Sequence, residues 1–280
     1  MEFDLIDVSK RHIIVAAHRG VSGGNIPCNT IAAYEIALLQ GADMIEVDVD
    51  VSLDGVLVIF HPNMEEAHLR INKRIPTMTY EYIKSLRYVN YDRTPTQFGI
   101  ATFDEVLECF KGRCYINVDK FWGHPVEIYN AIKRHGMLEQ TVVKCSPSEK
   151  VFNILEEVAP DIPYLPIVKD NYELHEELMK RNINYLGAEM LFTSESSRNI
   201  SREIMDKMHR DGKLIWANSI IYNYKDQLSA FHSDDTALTK DMEKGWGWLA
   251  DRGFDIIQTD WPSMLIEYLK NTNRYYKKQN

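Results

Sequence analysis

The chain has 280 residues, 45% of them hydrophobic and 26% charged, which is enough apolar material for the core of a globular protein. Its formal net charge is −9 and its pI is near 5.5, so nucleic acid and anionic membrane surfaces are disfavoured as main partners. No stretch reaches the roughly 18 unbroken apolar residues of a membrane-spanning helix, and the N-terminal residues contain no apolar signal region. We therefore expect a cytoplasmic protein without stable membrane insertion, with its four cysteines reduced.

Short apolar runs of strand type alternate with amphipathic segments of helix type along the chain. The runs lie at residues 12–17, 44–49, 114–119, 141–146, 164–168, 185–191, 213–218 and 255–260. Between them, segments such as 29–41 and 125–136 repeat their apolar residues with a period of 3.6. This alternation predicts an α/β fold, a (β/α)8 TIM barrel, and the absence of a linker predicts a single domain over residues 1–280. A doubly wound open sheet is the alternative, but no GxGxxG motif follows the first run.

Two long segments interrupt the alternation. The first follows the second strand and opens with LDGVLVIFH, in which Asp54-Gly55 between apolar runs predicts a β-hairpin. A two-residue turn there would place Asp48 opposite His61. Two helical segments follow, so we expect a hairpin and a helical insertion after strand 2. The second interruption, residues 220–253, is long enough for a loop over the barrel mouth and is helical towards its end.

The stretch IEVDVD places Glu46, Asp48 and Asp50 at alternate positions of the second strand, so their side chains point to one side. Convergent carboxylates are the ligands preferred by hard cations such as Mg²⁺ or Ca²⁺. Glu46 and Asp48 are therefore candidate metal ligands. Ion pairs with Arg19 and Lys120, without a metal, are the alternative. Asp50 lies beyond the barrel rim beside the hairpin, and we expect it in solvent.

Other polar residues fall at or near the predicted strand ends, where the catalytic groups of barrel enzymes lie. They are His18, Arg19, His61, Asn117, Asp119, Lys120, Lys144, Glu189, Trp216, Asn218, Thr259 and Asp260. Two histidines can share the roles of general acid and general base, and the residues leave open which takes which role. Arginine and lysine give charge-assisted hydrogen bonds to phosphate oxygens. Together with the carboxylates, this set predicts metal-assisted cleavage of a phosphodiester.

At this point the chain resembles the glycerophosphodiester phosphodiesterase family. The matching motifs are AHRG (17–20), PCNT (27–30), GADMIEVDV (41–49), LDGVLVIFHP (53–62), MTYEYIKSL (78–86), ATFDEVL (101–107), INVD (116–119) and IIQTDWP (256–262). The resemblance implies a (β/α)8 barrel that hydrolyses a small-molecule glycerophosphodiester to glycerol 3-phosphate and an alcohol. It implies that His18 and His61 are catalytic, that Arg19 binds phosphate, and that Glu46 and Asp48 bind the metal. It also indicates a subgroup with an insertion before the last barrel strand.

The chain departs from the family's pattern in three places. Cys28 replaces a glutamate in PCNT, and Pro62 replaces an aspartate after the second histidine. The family's third strand reads Glu-x-Lys with both side chains inside the barrel, whereas this strand ends in residues 117–120, Asn-Val-Asp-Lys.

The third departure allows different site residues. If Asp119 is the third metal ligand, strand alternation turns Lys120 away and puts Phe121 at the lysine position. Lys144, on the neighbouring strand, is then the candidate phosphate contact. If Lys120 faces inward instead, Val118 takes the ligand position and the third ligand is lost, although a bulge would let both residues serve. We expect Asp119 as the third ligand with Lys144 as the phosphate contact.

The remaining interpretations concern the barrel mouth. Trp216 is expected either to wall the substrate pocket or to pack in the core. A related barrel phospholipase acting on lysophospholipid or phosphoinositide headgroups is the nearest alternative, and an apolar rim of Phe121, Trp122, Phe192 and Trp246 would favour it. A catalytically silent barrel that binds phosphate is disfavoured by both histidines. A two-carboxylate glycosidase would give the adjacent histidine and arginine no role.

Overall fold

The computed structural model describes residues 3–169, 173–225 and 227–277. The strands are β1 (Ile14–Ala17), β2 (Met44–Val51), β3 (Leu57–Ile59), β4 (Tyr115–Asp119), β5 (Thr141–Cys145), β6 (Tyr164–Val168), β7 (Gly187–Met190), β8 (Leu214–Asn218) and β9 (Ile256–Thr259). The helices are α1 (Leu5–Arg11), α2 (Ile31–Leu39), α3 (Glu65–Leu69), α4 (Tyr80–Ser85), α5 (Phe103–Phe110), α6 (Pro125–Arg134), α7 (Glu149–Val158), α8 (Leu174–Leu178), α9 (Arg202–Arg210), α10 (Asp234–Thr239), α11 (Trp248–Arg252) and α12 (Pro262–Asn271).

The sheet is a closed barrel of eight parallel strands. Its strand order is β1-β9-β8-β7-β6-β5-β4-β2, and a β1–β2 pairing closes the ring. The antiparallel strand β3 is added to the outer part of β2. The predicted TIM barrel is therefore confirmed, and each of the eight predicted apolar runs coincides with one barrel strand, β2 extending two residues beyond its run. The strands could be recognised in the sequence because parallel strands buried on both faces consist almost entirely of apolar residues.

Two groups of core residues hold the barrel. The larger one lies between the strands and the surrounding helices, and includes Tyr34, Phe103 and Phe110. The smaller one fills the interior at the N-terminal end of the strands, where Leu5 of α1 packs with Trp216 and its neighbours. Because that end is filled and covered by α1, the C-terminal end is the open mouth of the barrel.

The hairpin after β2 has a three-residue loop rather than the predicted two-residue turn. Asp50 pairs with Val58, so Asp48 lies opposite Phe60, one residue away from the predicted partner His61. The loop ends at Gly55, whose φ is +84°, a left-handed conformation that closes a tight turn followed by a bulge. The predicted register was therefore wrong by one residue.

The segment between β8 and β9 contains the predicted helical part, here α10 and α11 joined by a π-helical turn at Glu243–Gly247. Its earlier part reaches the barrel mouth, where Tyr222 and Leu228 line a cavity together with Asp119. Among the described residues, no helix is long and apolar enough to cross a membrane.

Candidate active site

Three carboxylates meet at the mouth of the barrel. Parallel pairing of β2 with β4 sets Asp48 beside Asp119, and strand alternation brings Glu46 to the same side. One carboxylate oxygen from each of the three lies within 4.8 Å of the others. Glu46 and Asp48 are buried and Asp119 is half-buried. The structure thus brings together the three residues predicted as ligands.

Burial and neighbouring charges shift the pKa values of Glu46 and Asp48. Burial and then the Asp48 charge raise the pKa of Glu46. Burial also opposes the ionisation of Asp48, but the charges of Arg19 and Lys120 outweigh it and hold the pKa of Asp48 below its usual value. Oδ1 of Asp48 is buried and accepts no hydrogen bond from the described residues. Three crowded oxygen donors with one free, buried oxygen suit a hard divalent cation.

Arg19 is held against the carboxylates by a left-handed turn at the end of β1. Its φ is +55°, its backbone N–H donates to Oε2 of Glu46 at 2.9 Å, and its Nε lies 3.0 Å from Oδ2 of Asp48. Gly20 follows with φ +74°, and a Cβ there would lie 2.6 Å from the backbone carbon of Ala33. Only glycine fits that approach to α2, which explains the HRG sequence.

Asn29, which the sequence analysis did not assign, orients Asp48. Its Nδ2 donates to Oδ2 of Asp48 at 2.8 Å, and its Oδ1 accepts from the Tyr34 hydroxyl at 2.8 Å. Asn29 belongs to the PCNT motif. Its backbone is left-handed, with φ +55°, and the sequence alone did not indicate this conformation.

His18 lies beside Asp260, which was noted as a strand-end residue but given no role. Nδ1 of His18 is 2.9 Å from Oδ1 of Asp260. The Asp260 backbone N–H in turn donates to Oδ2 of the buried Asp234, at 2.9 Å. A carboxylate hydrogen-bonded at Nδ1 fixes the orientation of the ring and directs Nε2 away from it. Asp234 lies 26 residues before Asp260 in an insertion, so no local pattern in the sequence could connect them.

His61 is oriented differently. Its Nδ1 donates to the carbonyl of Pro62 at 2.8 Å, so the neutral ring carries no proton on Nε2. That Nε2 lies 4.0 Å from Oδ1 of Asp48. Burial lowers the pKa of His61 despite the opposing charge of Asp48. The neutral imidazole therefore presents a lone pair to the site.

The two substitutions beside the site are compatible with it. Pro62 supplies only its carbonyl, which every residue has. Burial raises the pKa of Cys28 to about 11, so its thiol is neutral at pH 7. Cys28 lines a cavity of about 470 Å³ together with His18, Arg19 and Trp261.

Lys120 faces the carboxylates, contrary to the preferred prediction. Its left-handed backbone, with φ +64°, turns the side chain back so that Nζ contacts Asp119 and lies 3.6 Å from Oδ1 of Asp48. Burial disfavours its charge, but Asp119 and Asp48 outweigh burial and raise the pKa of Lys120. Phe121, expected at the lysine position, is buried in the core. Asp119 and Lys120 thus both face the carboxylate cluster, through a left-handed residue rather than a bulge.

Lys144 lies below the mouth and is engaged with buried groups. It is 3% exposed, and its Nζ donates to Oε2 of Glu189 at 2.5 Å and to Oε1 of Gln258 at 3.0 Å. The same atom lies 4.1 Å from the ring centre of Trp216, which is fully buried. The structure therefore places Trp216 in the core and Lys144 in a buried ion pair with Glu189 in the barrel interior.

One further expectation about the mouth is wrong. Asp50 is buried rather than solvated: it is 5% exposed, its Oδ1 accepts from the Val51 N–H at 2.8 Å, and it lies 3.9 Å from Nε2 of His124. The proposed apolar rim is absent from the described residues, since Phe121, Phe192 and Trp246 are buried and Trp122 alone of the four is exposed. An apolar rim would have favoured a phospholipase, and these four residues do not form one.

Comparison with known proteins agrees with this geometry. A glycerophosphodiester phosphodiesterase of Bacillus altitudinis is 32% identical over 130 residues, which are 46% of this chain and 50% of that protein. Over this part of its length the chain is similar to the glycerophosphodiester phosphodiesterase family. The chain spans half the length of the Bacillus altitudinis relative. The YhdW protein of Bacillus subtilis (strain 168) is provisionally named for the same activity. It is 23% identical, and the match covers 92% of this chain and 99% of that protein.

Solved structures of the family share the fold. A glycerophosphoryl diester phosphodiesterase from Parabacteroides distasonis superposes with a TM-score of 0.79 at 19% identity, covering 96% of this chain and 91% of that chain. A phosphodiesterase from Oleispira antarctica, solved with the product sn-glycerol-3-phosphate, superposes with a TM-score of 0.68 at 20% identity, covering 92% and 98%. Residues 164–269 also match a family model described as a domain of unknown function, DUF4996. The matched range contains the insertion before β9.

Proposed function

We propose that the chain hydrolyses glycerophosphodiesters to glycerol 3-phosphate and an alcohol, using a divalent cation held by Glu46, Asp48 and Asp119. The observation that carries the proposal is the convergence of these carboxylates with Arg19 and two histidines at the open end of the barrel. The Oleispira antarctica phosphodiesterase with bound sn-glycerol-3-phosphate supports the substrate class.

The donor set determines what a bound cation would contribute. Three oxygen ligands and no thiol or imidazole within the cluster favour Mg²⁺ or Ca²⁺. Such an ion would act as a Lewis acid on a phosphoryl oxygen and lower the pKa of a hydroxyl bound to it.

Arg19 and Lys120 would neutralise the charge that develops on the phosphoryl oxygens. Arg19 uses its Nε and its backbone N–H towards the carboxylates, so its two terminal nitrogens remain for a bidentate contact with phosphate. Lys120 reaches the same space from β4. Preorganised cations at this position stabilise the transition state more than the substrate, which is the requirement for catalysis.

The hydrogen-bond partners of the histidines divide the proton transfers. His61, with Nδ1–H fixed by Pro62, has its Nε2 lone pair directed to the site and would take the proton from the attacking oxygen. His18, whose ring is oriented by Asp260 at Nδ1, would donate a proton from Nε2 to the leaving alcohol. The phosphorus–oxygen bond to the alcohol then breaks without releasing an unstable alkoxide.

The test is the release of glycerol 3-phosphate from glycerophosphocholine, with bis(p-nitrophenyl) phosphate as a second diester. We expect wild type to release glycerol 3-phosphate and the His18→Ala and His61→Ala variants to lose roughly 10²- to 10⁴-fold in kcat. His135→Ala, in the loop after α6, is the matched control and should retain activity. Absence of glycerol 3-phosphate from every diester tried would overturn the proposal.

A further inference from the structure

A second cavity adjoins the carboxylates on the side away from His18. Its volume is about 480 Å³, within the range of small-molecule sites. Asp119 and Lys120 form its inner end, so it is continuous with the site described above. The loop after β6 and the insertion before β9 supply the outer wall, through Lys169 and Lys225.

The charges of this cavity are mostly positive. Three lysines, Lys120, Lys169 and Lys225, and a single acid, Asp119, are the charged residues that line it. Asp119 is paired with Lys120. Within residues 3–169, 173–225 and 227–277, no carboxylate lies within ion-pair distance of the Lys169 or Lys225 ammonium groups, and both side chains are exposed.

The cavity also has a polar and an apolar side suited to a small organic group. Ser146, Thr193 and Gln227 add hydrogen-bonding side chains, and Trp122 offers an exposed indole. A quaternary ammonium would be attracted by the aromatic ring but repelled by the lysines. The full charges of the ammonium groups outweigh the ring quadrupole, so an anionic occupant is favoured.

In a glycerophosphodiester, glycerol is neutral and only the alcohol on the other side of the phosphate varies in charge. We propose that this cavity binds that alcohol and selects glycerophosphodiesters whose alcohol carries its own anionic group, a carboxylate or a second phosphate. This inference rests on the proposed function and adds the class of substrate. Lys169 and Lys225 determine the specificity, while the reaction itself depends on the residues at the inner end.

The test compares two substrates that differ by a single carboxylate, glycerophosphoserine and glycerophosphoethanolamine. Wild type should show a kcat/KM for glycerophosphoserine roughly tenfold higher at low ionic strength, mostly through KM, as expected for one charge-assisted contact. Lys169→Gln and Lys225→Gln should each lower that ratio several-fold, mainly by raising KM for glycerophosphoserine, because each removes a charge that faces the carboxylate of the alcohol. Lys10→Gln, on α1 at the opposite end of the barrel, is the matched control and should leave the ratio unchanged.

The outcomes separate this inference from the function on which it rests. Wild type could cleave both substrates with a ratio of their kcat/KM values near one, or neither lysine variant could change that ratio. Either result would overturn the anionic subsite but not the proposed phosphodiesterase activity. Failure to cleave either substrate, or any other glycerophosphodiester, would overturn both.

Discussion

Asp260 donates its backbone N–H to Oδ2 of Asp234 at 2.9 Å, and this hydrogen bond joins the end of the last barrel strand to the first turn of α10. The other oxygen of Asp234 accepts from the side chains of Ser219, Trp246 and Thr259. Because Asp260 also contacts His18, the insertion before β9 supports the histidine proposed as general acid through one intermediate residue.

Replacement of Asp234 should therefore reduce catalysis without touching the substrate. Asp234→Asn keeps one acceptor oxygen and leaves at least one of the four donors facing an NH₂ group, which costs about 1–3 kcal/mol of stability. With Asp260 displaced, we expect kcat to fall roughly 10- to 100-fold with KM little changed. Steady-state kinetics below the unfolding transition measure this.

Asp235→Asn is the matched control, because Asp235 lies in the same helical turn but is exposed. It should behave as wild type in both stability and kcat. A folded Asp234→Asn protein with wild-type kcat would contradict the role assigned to this hydrogen bond.

The two lysines should respond to substitution in different ways. Lys120→Ala removes a cation from the carboxylates and should lower kcat/KM by roughly 10²-fold with little loss of stability. Lys144→Ala leaves Glu189 buried without its partner and should lower the free energy of unfolding by about 3–5 kcal/mol. Kinetics and urea unfolding of both variants measure the difference. A Lys144 variant as stable as wild type, with the larger loss of activity, would restore Lys144 as the phosphate contact.

Asp255, at the start of β9, should give the fold a measurable pH dependence. Burial opposes its ionisation, but the hydrogen bond from His209 and the charges of Lys277 and His209 outweigh burial and lower its pKa. Its Oδ2 also accepts from the Ile215 N–H at 2.9 Å. A lowered native pKa stabilises the fold above the unfolded pKa, near 3.9, and this stabilisation is lost as the pH falls through the native pKa.

We therefore expect Asp255→Asn to cost about 1–3 kcal/mol at pH 7. The difference from wild type should hold down to about pH 4 and shrink below it, because wild-type Asp255 then becomes protonated and neutral, like asparagine. Urea unfolding across the pH range measures this, and the exposed Asp206→Asn is the control. A difference that does not change with pH would show that the charge of Asp255 contributes nothing.

The barrel was predictable because its signals are local. Each parallel strand is an apolar run, and the alternation in IEVDVD put Glu46 and Asp48 on one side of β2, as the structure has them. Asp119 was recognised as a polar residue at the end of the neighbouring strand, and the resemblance to the family made it the expected third ligand. Its convergence with Glu46 and Asp48 needs only that parallel strands end together.

The predictions that were wrong or missing depend on single backbone conformations or on contacts between residues far apart in the sequence. Strand alternation turned Lys120 away from the site, but one left-handed residue after β4 reverses its direction. The hairpin register shifted because Gly55 closes a three-residue loop. Asp50 was expected in solvent, yet β3 and His124 cover it. The contact of Asp234 with Asp260 arises only when the insertion packs on the barrel.

The central claim is that Glu46, Asp48 and Asp119 hold the divalent cation on which hydrolysis depends. Asp119→Asn removes one charge from this cluster. Asp50→Asn, which neutralises a buried aspartate next to the cluster but outside it, is the matched control. Calorimetric binding of Mg²⁺ and Ca²⁺ to both variants compares their affinities independently of turnover.

The most direct measurement is glycerol 3-phosphate release by wild type in excess chelator and after Mg²⁺ or Ca²⁺ is restored. We predict that the chelator abolishes turnover, that one of the two ions restores it, and that Asp119→Asn needs roughly 10- to 100-fold more of that ion while Asp50→Asn does not. Full turnover in excess chelator would contradict the account.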